Sequence, residues 1–388
     1  MQVERMGSAL RTILGLAMIV AGMCSAVVQL AKGGAAAASG QASPAIAQTA
    51  ETPRIENAQL ERRTAGASLD ATFRKIAGTA EKAEWVGYHV DQAAGERGVC
   101  CDNNWNDVNC ETCRLEKENG GMSSTTHTDQ SVKLEGARQL VVLLRLEGKQ
   151  VAQIRIASGD CTLDAGGLAF IWLAGVKASD SVALLSTFVR GSDFEDRGDH
   201  GIGNGALTAI ALHADASADR ALESFVMPEQ REPLRRQAAF WMGAARGKTG
   251  LTALQHMAKT DSSSDVRAHV AFALSASHEA GALGEMIRMA HDDTSSHVRG
   301  QALFWLAQKA GKKAVGTITG AIDNDPDTDV KKKAVFALSQ LPKDEGVPRL
   351  IEVAQTNRNG EVRKQAMFWL GQSNDPRALQ FFEKVLTQ

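Results

Sequence analysis

The chain has little of what most binding and catalytic proteins advertise. Net charge is only −2 over 388 residues, so there is no global excess of cations to draw it to nucleic acid or anionic lipid. Aromatic residues make up 5% and there is a single tyrosine, too few for an aromatic-rich sandwich or a base-stacking platform. Prolines number 8, a scarcity that favours many helices joined by short turns. No cysteine follows Cys161, and no Gly-rich phosphate loop, G-x-S-x-G elbow or H-E-x-x-H helix occurs anywhere. The histidines form no metal-ligand motif. Catalysis therefore finds no constellation in the sequence, and no cofactor or small-molecule substrate is implied.

Only one long apolar run is present. Arg5 and Arg11 precede the stretch Ile13 to Ala31, which is followed by small residues and by Ala45-Ile46-Ala47. A basic start, an apolar core and an A-x-A step have the form of an export leader, so residues 1–47 are expected to be a signal peptide with a low-complexity tail. The periplasm or the extracellular space is the expected location. The run is also about long enough to cross a bilayer, which leaves an uncleaved N-terminal anchor as the one route to a membrane.

Residues 48–82 are mixed and rich in helix formers, which predicts a linker leading into a short amphipathic helix. Residues 83–165 change character. Trp85 to Val90 are β-formers, and two extended runs flank Glu147-Gly148-Lys149, which predicts a β-hairpin inside a small β-containing domain. Five cysteines fall in this region: Cys100, Cys101, Cys110, Cys113 and Cys161. In an exported protein they are expected as disulfides stapling a small core; Cys110-x-x-Cys113 with Cys100 or Cys101 could instead chelate a metal. A thiol or metal sensor is the corresponding functional alternative.

What the sequence does have is a period. Leu234, Val266, Val298, Val330 and Val362 stand 32 residues apart, and Phe240, Phe272, Phe304, Phe336 and Phe368 keep the same step. Met242, Leu274, Leu306, Leu338 and Leu370 do so too, with Glu229, Asp261, Asp293, Asp325 or Asn357 ahead of each block. Second helical patterns lie between the blocks, from Leu251, Leu283, Val315, Val347 and Leu379, so each repeat is expected to be a helix pair with an Asp-rich capping turn. Residues 166–388 are assigned to this array, the first two copies degenerate.

The pattern V-R-x-x-A-x-x-A-L with Asp before it resembles the HEAT repeat, in particular the short bacterial variety found in phycobilin lyases. The resemblance implies a mainly α protein: a right-handed α-solenoid of helix pairs behind the small β-containing cysteine domain. It also implies a scaffold or adaptor whose concave surface binds another protein or an envelope polymer. A lyase-like enzyme or enzyme accessory is a second alternative that the same resemblance carries. No nucleic-acid partner is expected.

Two rows of residues stand out. Trp241, Trp305 and Trp369 occur in every second repeat, alternating with Ala273 and Ala337, which suggests a 64-residue pair and, with Phe272 and Phe336, a repeat core of interdigitated large and small side chains. Arg235, Arg267, Arg299, Lys331 and Arg363 form a cationic row. It reads either as a ladder pairing with nearby Glu232, Asp265, Asp329 and Glu361, or as a basic track for an acidic partner.

Overall fold

Of the eight strands among the described residues, only three coincide with the β-forming runs legible in the sequence, at 84–91, 139–147 and 150–158. The computed structural model describes residues 52–93, 112–116, 139–192, 194 and 201–387; the leader, Cys100, Cys101 and Cys110 lie outside them. A five-stranded sheet runs in the order β2 (Gln59–Thr64), β8 (Ala169–Ala174), β3 (Glu84–Asp91), β5 (Gln139–Glu147) and β6 (Gln150–Ser158). A second sheet of three short strands joins β1 (Ile55–Glu56), β7 (Thr162–Asp164) and β4 (Thr112–Arg114). Helix α1 (Leu69–Thr79), capped by Ser68, is the expected amphipathic helix.

The hairpin of β5 and β6 turns at Gly148 and Lys149, both at positive φ, as a two-residue turn between right-twisted strands requires. Its residues Leu140 to Leu144 are wholly buried, because both faces of the sheet are covered.

Two expectations need correction. Residues 55–64, taken as linker, contain β1 and β2, and β2 pairs in parallel with β8 from Gln59↔Ala169 to Thr64↔Ala174. Residues 169–174, taken as the opening of the solenoid, are β8 itself, paired on both sides by β2 and β3. The run Ala-Phe-Ile-Trp-Leu-Ala is uniformly apolar, so its period is silent between helix and buried strand. Long-range pairing decided it.

Among the described residues the helical array begins with α2 (Ala178–Arg190) and continues as six pairs: α3 (Ile202–Leu212) with α4 (Ala216–Phe225), α5 (Glu232–Ala245) with α6 (Gly247–Thr260), α7 (Ser264–Ala276) with α8 (Gly281–Asp292), α9 (Ser296–Ala310) with α10 (Val315–Asn324), α11 (Thr328–Ser339) with α12 (Lys343–Thr356), and α13 (Gly360–Gln372) with α14 (Pro376–Leu386). The array thus starts about ten residues later than the sequence suggested. Odd-numbered helices from α3 onward form one layer and even-numbered helices the other. Within the odd layer neighbours approach more closely than in the even layer, which puts the odd layer on the inner side of the curve. Val266, Val270 and Leu274 show why: spaced by four, they share one face of α7 and are fully buried toward the other layer.

The sheet and the array are joined through α3. Its glycines let it lie against β6: a Cβ on Gly205 would come within 2.4 Å of the Ile154 carbonyl oxygen. At the end of α3, His213 forms an isolated bridge with Gln92, and Ala93 N–H donates to Leu212 O at 2.8 Å.

Candidate binding face of the solenoid

Asp261, Asp293 and Asp325 each end an even-layer helix and accept a backbone N–H two residues on, from Ser263, Ser295 and Asp327. That turn fixes the carboxylate beside the arginine of the preceding repeat. Arg235 donates from Nε and Nη2 to Asp261, at 2.9 and 3.1 Å. Arg267 does the same to Asp293 and Arg299 to Asp325. Each pair is 26 residues apart and bidentate, and the remaining Nη1 binds backbone carbonyls at the start of its own repeat. Burial raises the Asp293 carboxyl, but the Arg267 hydrogen bond, the Ser295 N–H and the charges of Arg267 and Arg288 outweigh it and hold the group below its ordinary value.

The cationic row is therefore mostly a ladder: the acids of Arg235, Arg267 and Arg299 are these turn aspartates, while Asp329 and Glu361 pair with the adjacent Lys332 and Lys364 at 2.7 and 3.0 Å. Arg235 and Arg299 are buried and Arg267 nearly so, with their forks bound to carboxylates, so they cannot also present a basic track. The row then changes: Lys331 donates to Asp323 O, Asn357 replaces the acid, and Arg363 donates to Asn357 O and Arg358 O.

The aromatic columns meet. Starting from Trp241, ring contacts run to Phe240 at 5.1 Å, Phe272 at 5.4 Å, Trp305 at 4.6 Å, Phe304 at 4.9 Å, Phe336 at 5.7 Å, Trp369 at 4.8 Å and Phe368 at 5.0 Å. Each repeat without a tryptophan has its phenylalanine held between the Phe before it and the Trp after it. Phe272 lies between Phe240 and Trp305, Phe336 between Phe304 and Trp369. Trp241 and Trp305 are buried, whereas the phenylalanines are only half-buried and Phe368 is 54% exposed. The phenylalanine position lies about half a helical turn from the buried Val266 face, so the ring edges open onto the inner side of the array. Gln237, Gln301, Lys333 and Gln365 border this stripe.

Cys113 and Cys161 lie outside that face. Both are buried in the apolar cluster that includes Trp85, Leu163, Phe170 and Trp172 beneath the small sheet. Their segment is tied down by Glu116, which accepts from Trp85 Nε1 at 2.9 Å and from Arg145 Nε at 2.8 Å. Among the described residues no three His, Cys, Asp or Glu side chains come together as a metal set.

A polar constellation that sequence reading missed lies at the junction of sheet and array. Tyr88 Oη and Ser181 Oγ are 2.8 Å apart, His213 Nε2 is 2.8 Å from the same Oγ, and His213 Nδ1 is 2.6 Å from Ala209 O. With Nδ1–H donating to Ala209, Nε2 accepts from Ser181, which in turn accepts from Tyr88. All three side chains are fully buried. Burial pushes the His213 imidazole down to about 4, so it stays neutral, and burial raises the Tyr88 phenol well above its ordinary value. Without access to solvent the set is a structural tie. No spacing could have shown it, since Tyr88 and Ser181 are 93 residues apart.

A family model described as HEAT repeats matches residues 220–307 and 317–388. The solenoid is a HEAT-repeat array. Among solved structures, the chain is similar to the complex of CpcE and CpcF of phycocyanin lyase from Nostoc sp. PCC7120, at 21% identity over 40% of this chain and 99% of that one, with a TM-score of 0.32. It is also similar to human deoxyhypusine hydroxylase in complex with glycerol, at 15% identity over 53% of this chain and 90% of that one, with a TM-score of 0.28. Neither likeness bears on the chemistry of this chain. No curated protein matches the sequence. Within the HEAT array the Asp–Arg ladder ties successive repeats together, and the aromatic stripe is a half-open row of rings that the ladder does not cover.

Proposed function

We propose that this protein is an exported scaffold that binds another protein through the inner face of its HEAT array. The observation that carries the reading is the aromatic stripe: a continuous run of phenylalanine and tryptophan rings, half-open to solvent and bordered by glutamine and lysine, reaching the 54% exposed Phe368. Rigid aromatic edges with adaptable polar neighbours are the composition of binding hot spots rather than of an indifferent surface. The buried arginines serve the ladder, which keeps the stripe continuous across repeats.

Export rests on the leader pattern of residues 1–47. Burial of Cys113 and Cys161 in one apolar cluster argues against the exposed thiolates of a sensor.

The test is site-specific photocrosslinking in an exporting host. A crosslinker at position 304 or 368 should capture one and the same protein, while one at Lys259 or Glu352 on the other layer should not. Equal capture from both layers, or none from either, would remove the reading. Intact mass after recovery should show loss of the leader near residue 47; a retained N-terminus would point to anchoring.

A further inference from the structure

Each pair of repeats repeats a cation as well as a tryptophan, and one copy of that cation is missing. In the first copy, Arg246 Nη1 donates to His213 O at 2.7 Å and Ala211 O at 3.2 Å, closing the C-terminal end of α3. In the second copy, where the acceptors stand 64 residues on and the cation 63, Lys309 Nζ donates to Ser277 O at 2.5 Å and Ser275 O at 3.0 Å, at the end of α7. Adding 64 again gives Ser339 and Leu341 at the end of α11, and Ser373 where Lys309 stood. No lysine or arginine fills the third copy from α13. In its place is a pocket of about 220 Å³ lined by Ser339, Leu341, Trp369, Gln372 and Ser373. Trp369 lines it and so can report on what enters it.

We propose that this pocket binds an alkylammonium or guanidinium group in the position held by Lys309 and Arg246 in the earlier copies. A helix C-terminus presents carbonyl oxygens and the negative end of the helix dipole, and the fold satisfies them with a cation wherever its own sequence supplies one. The cavity is the size of one long side chain, smaller than an ordinary drug-sized site. Lys343 stands exposed on its rim and is the one charge that opposes the ligand. The group arrives either on a small amine or on a lysine or arginine of a bound protein. The inference stands apart from the aromatic stripe, since the site lies at helix ends and needs no partner on the inner face.

The experiment follows the indole resonance of Trp369 in the full chain, assigned with Trp369→Phe, while butylammonium chloride is titrated to about 50 mM, the range suited to a weak single contact. A saturable shift is expected. Ser373→Lys, which supplies the missing cation in cis, should abolish the shift and raise the thermal midpoint by about 2–4 °C. Lys309→Ser should open the equivalent space and give the Trp305 resonance the same response. Lys343→Ala, an exposed change that leaves the fold intact, should tighten binding several-fold. Tenfold tighter binding of acetyl-Ala-Lys-Ala-amide would assign the site to a protein side chain, and equal affinity to a small amine. An unmoved Trp369 resonance, or the same shift in the Ser373→Lys protein, overturns the proposal.

Discussion

Trp305 packs its ring 4.6 Å from Phe272, a residue of the preceding repeat, and so joins the inner helices of two successive helix pairs. The repeat that supplies Phe272 has Ala273 where its neighbours have tryptophan, and that small side chain is fully buried. The alternation of large and small residues is thus a packing rule between repeats. Trp305→Ala should cost about 3–5 kcal/mol, the range for emptying a buried aromatic site, and should loosen α7 against α9. Hydrogen exchange ought to show the loss concentrated in those two helices. By contrast Phe368→Ala, at the exposed end of the stripe, should change stability by less than about 0.5 kcal/mol while weakening partner capture.

The ladder makes a separate prediction. Asp325→Asn keeps the acceptor for Asp327 N–H but removes the charge facing Arg299, leaving a buried guanidinium without its counterion. The cost should be about 3 kcal/mol in urea unfolding followed by circular dichroism. Arg299→Met should cost a similar amount for the opposite reason. Together the two changes should cost clearly less than their sum, because neither then strands a charge; simple additivity would refute the pairing.

Acid should act first at His213. Its folded value of about 4 lies below the ordinary imidazole value of 6.5, so the unfolded chain binds the extra proton first. Stability is then complete above pH 6.5 and falls as the pH drops toward 4, by up to about 3 kcal/mol from this residue. His213→Gln should flatten that part of the profile. Asp293, held below its ordinary carboxylate value, acts lower: its contribution is present above pH 3.8 and is lost only as the pH falls further. Thermal midpoints measured in steps from pH 7.5 to about 2 separate the two.

Gly205 tests the joint between sheet and array. An alanine methyl there would lie 2.4 Å from a backbone carbonyl oxygen on β6, which cannot rotate away. Gly205→Ala should therefore destabilise by about 1–3 kcal/mol through displacement of α3. Gly284, whose Cβ would meet nothing, should accept alanine with no loss, and the comparison of the two variants by differential scanning calorimetry checks the assignment.

By itself the sequence determined the parts that repeat or that are local. A step of 32 residues in Val298, Phe304 and Leu306 can only be satisfied by stacked helix pairs, because an isolated pair leaves those faces in water. The hairpin at Gly148-Lys149 was legible because its turn and its strands are adjacent. Tertiary structure alone decided the rest, and in each case the partner is distant. Nothing local in Gln59 to Thr64 or in Ala169 to Ala174 demands a strand; each is one because the other lies beside it. The arginine row read as a ladder or a basic track, and only the turn of the next repeat showed that Asp261, Asp293 and Asp325 are the acids set against it. The tie of Tyr88, Ser181 and His213 needs three elements to converge. The pocket at Ser373 is visible only when the cation filling the same place near Ser275 and Ser277 is seen in position. Periodicity fixes which faces are buried; what a polar side chain does depends on which carbonyl or carboxylate the fold brings within 3 Å of it.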